Sequence, residues 1–343
     1  MFYPLRHCLF LIALFLVVSC QNAPDSQEAT VDVDVDVDVP VDVAVDVAVD
    51  VPVADDTQFE HELLQDIAET VEPTGPFRMA VITDTHFTAK PDHANNVAFQ
   101  EAGELFSNMD PRIDLVVNTG DNIEDLFVFP WDLAELTEIP IVVSYRDAID
   151  EFYALDYYIS IGNHDDRFFD TFQPDQTSLN YWLETFKETE SLSATYDFVD
   201  HRGFRLVFVD CTDEAFDHDS NDTCTLSSEQ LDWLDATLTT DLPVLLFWHI
   251  EIVIDDGTEL DHPLLAAIYP HKETVRGVFM GHSHRFRRRL WYDIPFLTTD
   301  SLKDQTEPIF HLIECDPESG TMSVVNEADI DYGSDSVAPG SAR

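Results

Sequence analysis

The stretch Gly162-Asn163-His164-Asp165-Asp166 follows directly on the apolar run Tyr157-Tyr158-Ile159-Ser160-Ile161. The apolar run predicts a buried strand. A sharp turn at Gly162 would leave an amide oxygen, an imidazole and two carboxylates at the carboxyl end of that strand, where open α/β sheets bind their ligands. A polar turn capped by Asn and Asp is the alternative. Whether other strands end in the same way decides between the two.

Five apolar runs in this chain end at His, Asp or Asn. If they are neighbouring strands, their ends meet in one crevice. Imidazole nitrogens and carboxylate oxygens are the ligands that borderline divalent metals accept. Asp-x-His and His-x-His spacings in an extended chain place both side chains on the same side. The residues at the run ends are Asp84 and His86, Asp121, Asn163 with His164, His249, and His282 with His284. His218, His262, His271 and His311 lack this setting and are predicted to be ordinary core or surface residues.

These motifs resemble those of the calcineurin-like metallophosphoesterase superfamily. The superfamily carries, in order, D-x-H, G-D, G-N-H-[DE], a lone His after a strand, and G-H-x-H, and all five occur here over about Phe77 to Val325. The resemblance implies an α/β fold, a four-layer αββα sandwich of two mixed sheets, with a dinuclear metal site at the C-terminal ends of the strands.

The resemblance also implies two groups of metal ligands that share Asp121. Metal one would be held by Asp84, His86, Asp121 and His284, and metal two by Asp121, Asn163, His249 and His282. The expected cofactors are two divalent ions, Fe, Mn or Zn. Two such ions about 3.5 to 4 Å apart can share a hydroxide and direct it at phosphorus while they neutralise the phosphoryl oxygens.

Further roles follow from the same resemblance. His164 fits the proton donor to the leaving oxygen. Asp165 would orient that imidazole or, equally, cap its own turn. Asn122 would bond a substrate phosphate oxygen or hold its own loop. Arg285 begins a basic cluster with Arg287, Arg288 and Arg289, in which one arginine could meet the substrate phosphate, although solvated or acid-paired arginines are favoured.

Departures from the family pattern bear on the substrate. Purple acid phosphatases have Tyr three residues after the bridging Asp, where this chain has Glu124, and Gly in place of His86, so a purple iron site is not expected. The form Gly-Asn-His-Asp-Asp-Arg at 162 to 167 is most similar to class III cyclic-nucleotide phosphodiesterases. Trp248-His249-Ile250 departs from the His-His-Pro common in those enzymes, which puts the outer pocket in doubt. The expected substrate is a phosphodiester or phosphomonoester, with nucleotides among the candidates.

The first 57 residues predict export and tethering. Residues 1–20 have a short basic start and an apolar core typical of a signal peptide. Val17-Val18-Ser19-Cys20 resembles the bacterial lipobox, in which Cys20 is lipidated, and Gln21 favours outer-membrane sorting. A plain secretory signal or a buried N-terminal strand are the alternatives. Residues 21–57, rich in Val-Asp pairs, are predicted to be a disordered tether, with a calcium-binding repeat as the lesser alternative. The enzyme domain is then 58–326, and 327–343 a flexible tail.

The net charge of −51 argues against nucleic acid as a partner and against docking on anionic lipid.

Of five cysteines, Cys211 and Cys224 could form a disulfide across a short acidic loop, or remain independent thiols. The leading functional hypothesis is an exported, lipid-anchored phosphoesterase. A non-catalytic, tethered binding protein with the same fold is the alternative, although a complete ligand set speaks against it.

Local patterns predict the remaining elements. Helices are predicted at 59–71, 97–106, 178–187 and 227–238, and a hairpin is predicted about Pro317-Glu318-Ser319-Gly320. Residues 125–154 are longer than a simple crossover needs and are predicted to make an excursion over the site or at one edge.

Overall fold

The computed structural model describes residues 75–124, 140–166, 178–186, 189, 194–212, 223–252, 262–303, 305, 307–333 and 336. The predicted signal peptide with Cys20, the tether and the helix at 59–71 lie outside the described residues. Within the described ranges, no helix is both long enough and apolar enough to cross a bilayer.

Eleven strands and six α-helices are present in the described part of the chain. The strands are β1 (Phe77–Ile82), β2 (Leu115–Asn118), β3 (Asp156–Ile159), β4 (Asp197–His201), β5 (Phe204–Phe208), β6 (Val244–Phe247), β7 (Val275–Met280), β8 (Arg287–Trp291), β9 (Ile294–Thr298), β10 (His311–Asp316) and β11 (Thr321–Val324). The helices are α1 (Ala94–Ser107), α2 (Pro140–Phe152), α3 (Asn163–Asp166), α4 (Ser178–Phe186), α5 (Ser228–Leu238) and α6 (Pro263–Ile268), with 3₁₀ turns at Tyr269–His271 and Glu327–Asp329.

The described strands form two mixed sheets. The first has the order β11-β10-β1-β2-β3, and the second has the order β4-β5-β6-β7-β9-β8. Strands β1, β2 and β3 are parallel to one another, as are β5, β6, β7 and β9. The antiparallel pairings are β1 with β10 and β10 with β11 in the first sheet, and β4 with β5 and β8 with β9 in the second. Parallel neighbours end at the same edge of a sheet, so each sheet brings several loops together at one edge.

The hydrophobic core lies in three layers. Along β1, Met79 and Val81 face the second sheet, whereas Ala80 and Ile82 face helices α1, α2 and α4, as the two-residue period of a strand requires. On the other side of the molecule, Leu246 and its neighbours in the second sheet pack against α5 and α6. The order of layers is therefore helix, sheet, sheet, helix, which confirms the predicted four-layer sandwich.

Several local predictions are confirmed. The hairpin pairs Asp316 with Thr321, three predicted helices correspond to α1, α4 and α5 with ends shifted by a few residues, and Ser227 caps α5 by accepting a hydrogen bond from the Gln230 amide. Cys211 and Cys224 form the predicted disulfide.

The predicted excursion over 125–154 is described only in its second half, because residues 125–139 lie outside the described part. Residues Pro140–Phe152 form helix α2, which buries Val142, Tyr145 and Ile149 against the first sheet. The apolar residues recur at helical spacing, but the β-branched run at 141–143 weakens the local helical signal, and burial of that face overrides it.

Candidate metal centre

The predicted site residues converge at the carboxyl ends of five strands. Asp84 and His86 follow β1, Asp121 follows β2, Asn163 and His164 open α3 after β3, His249 follows β6, and His282 and His284 follow β7. Backbone hydrogen bonds join neighbouring loops: the Asp84 amide donates to the Gly120 carbonyl at 2.9 Å, and the Gly281 amide donates to the His249 carbonyl at 2.9 Å. Adjacent parallel strands thus hold the side chains in one place.

Two aspartates connect the loops. In each of them, one carboxylate oxygen accepts hydrogen bonds and the other faces histidine side chains. Asp84 Oδ2 accepts from the His282 amide at 2.9 Å and from the Thr83 hydroxyl at 2.8 Å, and Asp121 Oδ1 accepts from the His164 amide at 2.8 Å. These bonds fix the rotation of each carboxylate. The second oxygens, Asp84 Oδ1 and Asp121 Oδ2, are thereby directed into the cluster of imidazoles.

The distances between these oxygens and the imidazoles define two overlapping groups. Asp84 Oδ1 lies 2.9 Å from His284 Nε2 and 3.6 Å from His86 Nε2. Asp121 Oδ2 lies 3.1 Å from His249 Nε2 and 3.7 Å from His86 Nε2. His86 therefore lies between the two carboxylates.

Three sets of ligand-capable side chains have their ligand atoms within 4.8 Å of one another. They are Asp84, His86 and His284; His86, Asp121 and His164; and Asp121, His249 and His282. Asn163 joins the last set, since its Oδ1 lies 3.1 Å from His282 Nδ1.

The aspartates and histidines stabilise each other's charged forms. Burial raises the pKa of Asp84, but the neighbouring histidines, His249 foremost, outweigh it and hold the pKa well below its usual value. The pKa of Asp121 falls to about 2 for the same reason. Burial lowers the pKa of His249, yet the charges of Asp121 and Asp84 raise it to about 9. Two buried, ionised carboxylates in one cluster need compensating positive charge.

The unpaired atoms of the site fit a cation. Asp84 Oδ1, His86 Nε2 and His249 Nε2 are buried, and although other groups of the cluster lie close to them, none of the three makes a hydrogen bond of good geometry among the described residues. Such orphaned buried atoms are rare in folded proteins and call for an explanation. A mixed nitrogen and oxygen donor set of this kind suits borderline divalent metals.

The backbone of the site is strained. Asp84, His86, Asp121, His282 and His284 all have positive φ, at 49°, 43°, 51°, 71° and 49°. A left-handed conformation costs a residue with a side chain roughly 1–2 kcal/mol, and such strain clusters at functional sites. Gly162 permits this packing, because a Cβ there would meet the Asp121 amide nitrogen at 2.2 Å.

For Asp165 and Asn122 the hydrogen bonds favour the second of the two roles that the sequence left open. The Asp165 carboxylate accepts from the amides of Gly162, Asn122 and Ile123, the role of a turn-capping group. Burial and the charge of Asp121 raise its pKa to about 7. The Asn122 side chain is fully buried, donates to Asp165 and to the Ser160 carbonyl, and accepts from a tyrosine hydroxyl, so it holds its own loop.

His164 is oriented by a backbone group instead. Its Nδ1 lies 2.5 Å from the Glu124 carbonyl, and its Nε2 lies 4.0 Å from Asp121 Oδ2. A carbonyl can only accept, so Nδ1 carries a proton and Nε2 faces the cluster. Reasoning from sequence missed Glu124 and also Lys303, whose ammonium donates to the Glu124 carboxylate at 2.9 Å. The position of Glu124 three residues after Asp121 was the available signal, and Lys303 had none.

The arginines of the basic cluster differ in their exposure and in their partners. Arg285 is exposed. Arg287 and Arg288 are largely buried and form ion pairs with Glu251 and Glu327, respectively, which confirms the acid-paired alternative for these two residues.

The histidines predicted to be ordinary have other partners. His262 caps α6, His271 contacts Asp235 and His311 contacts Thr299, while His218 lies outside the described residues.

A two-sheet α/β sandwich with nitrogen and oxygen ligands gathered at its strand ends is the architecture of a metal-dependent hydrolase. The family model for calcineurin-like phosphoesterases matches residues 77–286, and the chain belongs to this family of hydrolases that act on phosphoric esters. The family implies divalent metal ions, and the clusters above are candidates to hold them.

Several solved structures are similar to this chain. A dimetal phosphatase from Danio rerio is 17% identical with a TM-score of 0.50, covering 69% of this chain and 92% of its own. GAP50, described as the anchor in the inner membrane complex of Plasmodium, is 13% identical with a TM-score of 0.45, covering 70% and 81%. The calcineurin-like phosphoesterase YfkN from Bacillus subtilis is 13% identical with a TM-score of 0.44, covering 74% and 89%. At these identities the likeness concerns the fold alone. No curated protein sequence matches the chain.

Proposed function

We propose that this protein is an exported, lipid-anchored phosphoesterase that binds two divalent cations and hydrolyses phosphodiester or phosphomonoester bonds. The observation that carries the proposal is the pair of ligand groups on either side of Asp121, whose Oδ2 faces histidines of both groups. A carboxylate in that position suits a bridge between two cations.

The assignment of ligands to the two metals is the one that the resemblance to the family implies, and the groups of neighbouring ligand atoms support it. Metal one takes Asp84, His86, Asp121 and His284, and metal two takes Asp121, Asn163, His249 and His282. Fe, Mn and Zn are the candidate ions, given the donor set. When bound, a pair of such ions supplies a hydroxide nucleophile at neutral pH and neutralises charge on the phosphoryl oxygens.

We assign His164 the transfer of a proton to the leaving oxygen. Its Nδ1–H donates to the Glu124 carbonyl, so the ring is held with Nε2 toward the cluster. Its side chain is 19% exposed, which leaves it accessible to a substrate, unlike the fully buried His249. Proton transfer by a positioned side chain contributes typically about 10²- to 10⁴-fold to the rate.

The substrate is expected to be small. The formal charge of −51 repels polyanions, whereas a single phosphate ester can be attracted by the local charge of bound cations. Nucleotides are the leading candidates, because the form of the motif around Asn163 is similar to that of class III cyclic-nucleotide phosphodiesterases.

We also propose that lipidation at Cys20 anchors the enzyme, with outer-membrane sorting favoured by Gln21. Incorporation of labelled fatty acid and membrane fractionation of the wild type and Cys20→Ala check this. Labelling of Cys20→Ala equal to that of the wild type would contradict it.

The central experiment measures metal content and turnover of the full chain, purified in detergent. The wild type should hold two equivalents of metal per chain and hydrolyse p-nitrophenyl phosphate, its bis ester, or both. Asn163→Ala and His282→Ala should each lower turnover at least tenfold, while His271→Gln, a histidine change outside the site, should not. Two bound equivalents without turnover of either ester would favour the non-catalytic binding protein; neither metal nor turnover would refute the proposal.

A second experiment isolates the role of His164. Removing a proton donor harms a poor leaving group more than a good one. His164→Ala should therefore lose more activity on phenyl phosphate than on p-nitrophenyl phosphate. Equal losses on the two esters would mean that His164 binds a cation or the phosphate and does not donate the proton.

A further inference from the structure

Glu124 lies against the site without belonging to either ligand group. It follows the short parallel bridge between Phe87 and Ile123, and its amide donates to the Phe87 carbonyl at 2.9 Å. Its carboxylate lies between two groups: Oε2 is 3.3 Å from His86 Nδ1, and Oε1 accepts from the Lys303 ammonium at 2.9 Å. A single carboxylate thus joins a candidate ligand to a cation.

His86 Nδ1 and Glu124 Oε2 are both buried, and neither has a hydrogen-bond partner among the described residues. The His86 side chain is only 1% exposed, so water cannot readily replace a missing partner. The two atoms are complementary, since one can donate and the other can only accept. At 3.3 Å they are within hydrogen-bonding distance.

A hydrogen bond donated by His86 Nδ1 fixes the tautomer of the ring and so leaves Nε2 as the nitrogen with a lone pair. With the proton on Nδ1, the lone pair of His86 is on Nε2, which faces Asp84 Oδ1 at 3.6 Å and Asp121 Oδ2 at 3.7 Å. Histidine ligands commonly donate their second N–H to a carboxylate, which fixes the tautomer and the ring orientation.

Lys303 is itself fixed to the site. Its amide donates to the Asp84 carbonyl at 3.1 Å, and the Ser301 hydroxyl donates to the same carbonyl at 3.1 Å. The Lys303 side chain is 25% exposed, and its ammonium contacts Glu124 Oε1, the carboxylate oxygen that does not face His86. The lysine therefore holds the carboxylate in place and balances its charge.

We propose that Glu124 is a positioning residue for metal one: its carboxylate, held by Lys303, fixes His86 in the Nδ1–H tautomer that presents Nε2 to the cation. This proposal rests on the proposed function, because it needs a cation bound by His86. The carbonyl of the same residue orients His164, so side-chain substitutions change the His86 contact and leave the His164 contact in place.

The test is calorimetric titration of Mn²⁺ or Zn²⁺ into the metal-stripped full chain. The wild type should bind two equivalents. Glu124→Met should lower the affinity for one of the two metal equivalents by about 10- to 100-fold, the range seen when a hydrogen-bond partner of a metal ligand is removed. Glu124→Gln, which can still accept from Nδ1 but carries no charge, should recover part of the loss. Lys303→Met should lower the affinity for the same equivalent by a smaller factor.

The matched control is Glu314→Gln, which removes the charge of a carboxylate paired with Arg78 outside the site. It should bind both equivalents as the wild type does. If Glu124→Met bound both metal equivalents with wild-type affinity, the positioning role would be overturned and the proposed function would stand. Equal weakening of both equivalents, together with a lowered unfolding temperature of the metal-free variant, would also overturn it, since that pattern marks a general structural role. A wild type that binds no metal would refute the proposed function itself.

Discussion

Acid should destabilise this protein through His311, a buried histidine outside the candidate metal centre. Its ring is fully buried on β10, with Nδ1 2.8 Å from the Thr299 hydroxyl and Nε2 3.1 Å from the Tyr332 hydroxyl. Burial, reinforced by the nearby charge of Arg288, lowers its pKa from 6.5 to about 3. The histidine is therefore neutral in the folded protein at pH values where it would be protonated in the unfolded chain.

The sign and size of the effect follow from this difference. Because the folded pKa is depressed, the full stability is present above pH 6.5 and is lost as the pH falls from there toward 3. Each unit of difference is worth about 1.4 kcal/mol, so the loss is about 2 kcal/mol at pH 5 and approaches about 5 kcal/mol below pH 3. Such a loss is a large share of a typical domain stability.

The assay is urea unfolding at pH 7.5 and at pH 5.0, with chelator in all samples so that metal release does not contribute. His311→Gln should be less stable than the wild type at pH 7.5, because it loses packing against Tyr332, yet it should lose about 2 kcal/mol less on moving to pH 5.0. His271→Gln, a change at a surface histidine, should follow the wild type. An equal acid loss in the wild type and His311→Gln would refute this account of His311.

Three further outcomes are expected. Gly281→Ala places a Cβ 1.9 Å from the Thr83 hydroxyl, so it should cost about 1–3 kcal/mol and abolish metal uptake; uptake at the wild-type level would contradict the packing. Replacing Cys211 and Cys224 by Ser should lower the free energy of unfolding by about 3 kcal/mol, because the bond closes a loop with a sequence separation of 13; an unchanged urea midpoint would contradict it. Residues 58–343 hold 57 acidic and 16 basic side chains, so raising NaCl from about 0.05 to about 1 M should raise the unfolding temperature by screening self-repulsion; a flat response would show that the charges are already compensated.

The fold and the convergence of the site could be predicted because both leave local marks. Each strand that contributes to the site is a short apolar run that ends directly at a polar side chain, as at His249, and adjacent parallel strands bring those ends together. The disulfide was also open to prediction, since the spacing of its cysteines permits it.

The roles around the site could not be predicted, because they depend on contacts between distant parts of the chain. Whether Asp165 capped its turn or oriented an imidazole was undecided by sequence; three amides converge on it only once the Asp121 loop packs beside it. The carboxylate of Glu124 meets Lys303 across a separation of 179 residues. Neither residue carries a pattern of its own that indicates this contact.

The hydrogen bond from the His282 amide to Asp84 joins residues 198 positions apart and links a loop of the first sheet to a loop of the second. A chain in which only one sheet has formed therefore offers only part of the cluster, so the sheets must dock before side chains of both can hold a cation. A ligand that binds so late stabilises the native state without speeding its formation, because its contacts are absent from the transition state. Metal should consequently slow unfolding far more than it accelerates refolding, and so keep the two sheets docked for longer.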